Sequence, residues 1–137
     1  MSAPADKARL QVRQATRADV DAIVALSVRT YGEDFCYLPE MVLGQLSQFP
    51  EGQFVALAEG VVVGYCATFR IAEEAALGKH SWREITGGGY ASRHDPAGDW
   101  LYGMEVCVDP AHRGLRIGRR LYDRRKRLCQ QLDLRGI

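Results

Sequence analysis

VCVDPAHRGLRIG, residues 106–118, reads as the end of an apolar strand, a stop, a turn and the start of a basic helix. Val106, Cys107 and Val108 suit a buried strand. Pro110 brings no N–H to a ladder and ends it. Gly114 and Gly118 carry no side chain to block approach, and glycine enters left-handed turns at little cost. The first turn of a helix leaves up to four N–H groups unpaired, and its dipole adds about half a positive charge there. A turn of this kind holds a phosphate mainly by backbone, and Arg113 and Arg116 add formal charge beside it. The glycine pattern alone is weak. No Gly-Lys-Ser/Thr is present for a Walker loop, and two glycines without a following acid do not make a dinucleotide fingerprint. A tight strand-to-helix turn without a ligand stays open.

Working outward, residues 10–14 alternate as a short strand. Thr16 and Asp19 form a capping pair before a helix with Val20, Ile23, Val24 and Leu26 at helical spacing, running to about Thr30. Residues 31–38 make a loop with three aromatics, and Pro39 opens a second helix ending near Gln48. Residues 53–58 and 61–69 are strands joined by Glu59-Gly60, a hairpin. Residues 71–99 form a long insertion with a triple glycine at 87–89, either a flexible lid or a tight turn. Residues 100–108 are apolar on both faces, as in the centre of a sheet. The final helix carries Ile117, Leu121, Leu128 and Leu132 on one face. Gly136 is its C′ residue or a short turn, and Ile137 begins another strand. The order is β-α-α-β-β-β-α.

Length allows one domain. The net charge of +1 conceals a local basic run between Arg113 and Arg127, in which Asp123 is the single acid. The four cysteines form no C-x-x-C pair or zinc spacing, so they read as reduced residues of a cytoplasmic protein, and no metal is expected. The start has no signal-peptide core, and no apolar run is long enough to span a membrane.

Residues 106–118, followed by Arg119-Arg120-Leu121-Tyr122, resemble the acetyl-CoA motif of the GNAT superfamily of N-acetyltransferases. That motif is a strand ending in Val-x-Pro, then Gln/Arg-x-x-Gly-x-Gly/Ala. The order of elements is similar too. The resemblance implies an α/β (α+β) fold with a mixed, mostly antiparallel central sheet flanked by helices. Residues 10–137 would form the first two thirds of such a domain, incomplete at the C-terminus, after a disordered tail at 1–9. It implies that backbone groups of Val106, Cys107 and Val108 bind the pantetheine of acetyl-CoA. The amides of Arg113, Gly114, Leu115, Arg116, Ile117 and Gly118 would hold the pyrophosphate. One departure is Arg116, which stands where the family has its first motif glycine. Its side chain either narrows the loop or adds a phosphate contact, and the local charge favours the contact. The chain is also similar to the N-terminal module of two-domain proteins that continue into a carbon–nitrogen hydrolase domain, but no hydrolase sequence is present in it.

The implied reaction is acetyl transfer to a primary amine of unknown identity. At neutral pH only about one lysine-like amine in two thousand is unprotonated, so a general base helps. Glu105 on the strand is the first candidate. Tyr102, on the opposite face by alternation, is the second. Backbone N–H near Val106 would stabilise the oxyanion. The family's usual tyrosine acid lies beyond this chain, so no residue takes that role. His80 and His94 read as surface or turn residues, with an acid–base pairing to Glu84 or Asp95 as the lesser alternative. Two other functions stay open: a non-catalytic acyl-CoA-binding regulatory module of a larger enzyme, and nucleic-acid binding through the basic helix 113–127. The buried stripe of that helix weighs against the second. An incomplete sheet predicts a truncated chain, a homodimer or a covalently linked C-terminal domain that completes it.

Overall fold

The computed structural model describes residues 10–137, so the expected disordered tail at 1–9 lies outside the described residues. Four strands form one sheet in the order β1-β2-β3-β4: β1 (Leu10–Gln14), β2 (Gln53–Ala58), β3 (Val61–Ile71) and β4 (Trp100–Val108). Every neighbouring pair is antiparallel. Glu59 and Gly60 both take positive φ, 52° and 82°, which is the two-residue hairpin turn whose twist matches the strands. The expected strand and helix order is present, and the fold is α/β.

Helices α1 (Val20–Tyr31) and α2 (Pro39–Gln48) cover one face, and the basic helix α5 (Ile117–Gln131) covers the other. Two adjacent residues of β3 show this. Tyr65 stacks edge-on against Tyr37, beyond α1, and its hydroxyl donates to Gln45 of α2. A Cβ on Gly64 would lie 2.8 Å from Ile117 of α5. Neighbours along a strand face opposite ways, and glycine at 64 lets α5 approach. Burial of Phe54, Val55, Val63, Phe69 and Leu121 builds the core between these layers.

The segment between β3 and β4 begins one residue later than expected, because β3 runs through Ile71. It holds two short helices, α3 (Glu73–Leu77) and α4 (Trp82–Ile85). The triple glycine is a tight turn: φ is 64°, 74° and 94° at Gly87, Gly88 and Gly89. The Gln45 amide donates to the Gly89 carbonyl at 2.7 Å, so α2 pins the turn. His94, expected as a surface or turn residue, is half-buried and packed. Its Nδ1 accepts the Arg70 N–H at 3.0 Å and its ring stacks on Phe49.

Three expectations change. β4 is not central among the described strands; its outer side carries only a parallel bridge from Trp100 to Gly136. Gly136 is therefore strand-like rather than a helix cap. Asp133, at φ 54°, closes α5, and the Leu134 N–H returns to the Cys129 carbonyl. Cys129, not Leu132, completes the buried stripe with Ile117, Leu121 and Leu128. Among the described residues no helix is long and apolar enough to cross a membrane.

Candidate functional site

The turn after β4 is held by a residue that the sequence reading passed over. Asp109 is 6% exposed. Its carboxylate accepts the Ala111 N–H at 2.9 Å and the Arg29 Nε–H at 3.0 Å, and its own N–H donates to Val63. Burial pushes its carboxyl up, but these bonds and the charges of Arg29 and His112 outweigh it, so it sits below the usual carboxylate range. Asp-Pro is the signature that would have found it, an N-cap followed by proline at the first helical position. The 3-10 turn Pro110–His112 follows directly.

Beyond it the chain bends through Gly114, φ 97°, and Arg116, φ 57°, into α5. Arg116 is the N-cap of α5 and occupies the left-handed region. That is a conformation which glycine adopts without strain and arginine does not. The first intrahelical bond runs from Arg120 N–H to the Arg116 carbonyl. The N–H groups of Ile117, Gly118 and Arg119 thus have no partner within the helix. Beside this helix start lies a groove of about 730 Å³ lined by Leu115, Arg116, Arg119 and Arg120, with Glu59 and Asp123 as its acids. Arg120 also donates to the Leu10 carbonyl at 2.9 Å, tying β1 to the groove's wall. Unpaired amides, a dipole end and guanidinium groups fit a polyanion.

The basic run is partly spent on the fold. Arg124 lies 4.9 Å over the ring of Phe54 and Arg125 lies 4.5 Å over Tyr122. The groove arginines sit only at the N-terminal end, where they serve a compact anion better than a duplex.

On β4, the register passes from Ala67 opposite Glu105 to Thr68 opposite Gly103, leaving Met104 as an extra residue. This bulge corrects the expected placement of Tyr102 and Glu105 on opposite faces. Their partners, Phe69 and Ala67, are two apart on β3, so both side chains share one face. The structure nevertheless gives them different companions. Tyr102 packs on Phe69 with ring centres 5.2 Å apart, and its hydroxyl is 3.5 Å from His80 Nε2. His80 Nδ1 faces the Gly78 carbonyl at 2.9 Å and so carries the ring proton, leaving Nε2 to accept.

Glu105 is half-buried, and the loop at 31–38 comes to it. Tyr31 donates to its Oε1 at 3.0 Å and Tyr37 donates to its Oε2. Burial first and the Glu105 charge second push both phenols well above the ordinary tyrosine range. They are therefore donors at any working pH. The sequence offered no sign of this triad, whose phenols lie 74 and 68 positions from Glu105, except that the loop was rich in aromatics.

Cys107 is buried and its thiol donates to the Thr30 hydroxyl at 3.3 Å. Burial pushes this thiol up, and that of Cys66 to about 12. Neither is a thiolate nucleophile at neutral pH. Val106 and Val108 are half-buried on the same strand, between Glu105 and the turn.

The profile described as the acetyltransferase (GNAT) family matches residues 20–137. The probable hydrolase YhcX of Bacillus subtilis (strain 168) is 36% identical over 129 residues, 94% of this chain and 25% of its own length. The uncharacterized N-acetyltransferase YkwB of the same organism is 27% identical over 80% of this chain and 50% of its own length. The chain thus spans a quarter and a half of these two curated relatives. Among solved structures, the GphF GNAT-like decarboxylase in complex with isobutyryl-CoA is 33% identical. It superposes with a TM-score of 0.72 over 82% of this chain and 55% of that one. The loading GNATL domain of CurA from Lyngbya majuscula superposes with a TM-score of 0.75 over 89% of this chain and 59% of that one. At 20% identity that likeness is one of fold.

Proposed function

This chain belongs to the GNAT acetyltransferase family, and from that premise we propose that it moves an acetyl group from acetyl-CoA to a primary amine by direct attack. The observation that carries the reading is Glu105, a carboxylate fixed by two phenols on the strand that leads into the anion-binding turn. When bound, acetyl-CoA supplies an activated acyl group. The amides of residues 113–118, with Arg113 and Arg116, hold its pyrophosphate. The edge of β4 at Val106, Cys107 and Val108 takes its pantetheine. Glu105 accepts the proton of the incoming ammonium, which frees the nitrogen lone pair for attack. Backbone N–H near Val106 meets the negative charge that develops on the carbonyl oxygen; when that charge collapses the C–S bond breaks, and CoA leaves as a thiolate that takes up the second proton of the amine nitrogen. The raised thiol pKa values of Cys107 and Cys66 argue against an acyl-cysteine route.

A second reading is decarboxylation of a carboxyacyl-CoA, favoured by the 33% identity to the GphF decarboxylase. Glu105 speaks against it, because a carboxylate beside the acyl group would repel the anion that must bind there. The match to a quarter of YhcX supports a module that works beside a further domain.

Calorimetry with acetyl-CoA tests the anion turn, and thiol release across a panel of primary amines tests the transfer. Micromolar binding with amine-dependent release is expected. Loss of carbon dioxide from malonyl-CoA, without amine-dependent release, would move the protein to the second reading. Binding with no turnover of either kind would make it an acyl-CoA-responsive regulatory module.

A further inference from the structure

The two phenols on Glu105 are not equivalent. Tyr37 is 5% exposed and held from several sides. Its N–H donates to the Ser27 hydroxyl at 3.0 Å, that hydroxyl donates to the Val24 carbonyl at 2.7 Å, and its ring stands edge-on to Tyr65. Tyr31 is 38% exposed. It is the last residue of α1, and Gly32 follows at φ 83° with open space where a Cβ would be. One donor is built into the core; the other stands at a helix end beside a backbone joint. Each holds a different oxygen of the same carboxylate.

We propose that Tyr37 is a permanent positioning residue for Glu105, and that Tyr31 is an exchangeable donor which the acceptor ammonium displaces from Oε1. The inference rests on the reading of Glu105 as the base. The exchange replaces one hydrogen-bond donor by another at one oxygen, and no covalent bond changes in it. With Tyr31 in place Oε1 is satisfied while the acceptor site is empty, which avoids leaving a half-buried carboxylate oxygen without a donor. With Tyr31 displaced, the ammonium lies against Oε1 while Tyr37 keeps the carboxylate from turning. The proton then moves to Oε1 and the freed amine attacks. Tyr31 acts on access and Tyr37 on geometry, so their replacements separate in kinetics.

The test uses the full chain labelled at tyrosine Cζ with carbon-13, whose six tyrosine signals are assigned by single Tyr→Phe replacements. CoA is bound and n-butylammonium is the probe. The Tyr31 signal is expected to shift with n-butylammonium while the Tyr37 signal stays, and neither is expected to move in E105Q. A shift of both signals, of Tyr37 alone, or of neither overturns the exchange. In kinetics, Tyr31→Phe is expected to lower KM for the amine. Tyr37→Phe is expected to lower kcat by about tenfold or more, with a displaced acid limb of the pH profile. A thermal melt checks that Tyr37→Phe is folded, and the spectra of the unsubstituted chain decide the matter if it is not. E105Q as active as wild type would remove the base reading itself. E105Q inactive, with both signals or neither moving in the unsubstituted chain, would remove the exchange and leave that reading standing.

Discussion

Tyr102 and Glu105 share one face of the sheet although three positions separate them along β4. Met104, the extra residue, is the cause, and it brings its own anchor: the Trp82 indole N–H donates to the Met104 carbonyl at 2.9 Å. The segment between β3 and β4 is therefore fastened at the bulge, two residues from Tyr102 and one from Glu105.

Glu105→Gln keeps the shape and one accepting oxygen for the phenols, replaces the other oxygen by a donating NH2, and removes the base. A fall in kcat of about 10² to 10⁴ is expected, with acetyl-CoA affinity unchanged. Thiol-release kinetics across pH check this. An unaltered kcat at every pH would exclude Glu105 from proton transfer.

Arg116→Gly separates stability from binding. A non-glycine residue in the left-handed region costs about 1 kcal/mol, of which the looser unfolded chain of glycine takes back part. The variant is expected to melt a few degrees higher while binding acetyl-CoA about tenfold more weakly, through loss of a guanidinium–phosphate contact. A higher Tm with undiminished affinity would show that the side chain makes no such contact.

Asp109→Ala leaves the Ala111 N–H and the Arg29 guanidinium without their acceptor. Roughly 2–4 kcal/mol of stability should go, together with most of the acetyl-CoA affinity, as the turn loosens. Urea denaturation and calorimetry on one preparation measure both. A stable variant that binds normally would remove Asp109 as the anchor.

Acid should weaken the fold in two stages. Burial and the nearby Arg70 charge hold the His94 imidazole below its ordinary value. Its stabilising effect is full above the unfolded value of about 6.5 and fades as pH falls through the folded value. Arg13, bonded to both oxygens of Asp19, holds that carboxyl low, and Asp109 is held low as well. Their contribution is full above about pH 4 and fades below it. Urea denaturation as a function of pH should show both declines, and His94→Gln should remove the first. Constant stability from pH 7 down to about 3 would refute the assignment.

Gly89→Ala places a side chain at φ 94°, with its Cβ 2.3 Å from the Met41 methyl. A loss of about 2 kcal/mol is expected from backbone strain and overpacking together. Gly88→Ala, also at positive φ but with its nearest neighbour 3.9 Å away, should cost less. Thermal melts of the pair isolate the packing part.

Local chemistry made much of this fold readable. Proline at 39, Glu59-Gly60 and the stripe on α5 each announce their element within a few residues. The turn before α5 was legible for the same reason, since its glycines, proline and arginines are contiguous. What escaped the reading depends on contacts between distant segments. Face assignment on β4 failed because strict alternation has no means of registering Met104 as surplus. Tyr31 and Tyr37 were seen as aromatic loop residues, since nothing near them in sequence points to Glu105. Gly136 looked like a helix terminator because glycine is the usual one, whereas Asp133 took that conformation.

The end of α1 has a consequence for how the two halves of the site can vary. Arg29 grips Asp109, Thr30 receives the Cys107 thiol, and Tyr31 holds Glu105. Three consecutive residues of the helix answer three alternate residues of the strand and its exit, in reverse order. The helix end works as a gauge block, against which the turn before α5 and the Glu105 carboxylate are both measured. A change that tilts this helix end shifts both measurements together. If the turn holds acyl-CoA and Glu105 meets the amine as proposed, the affinities for the two substrates are not separately adjustable from α1, and a change of amine preference is expected from residues outside 29–31.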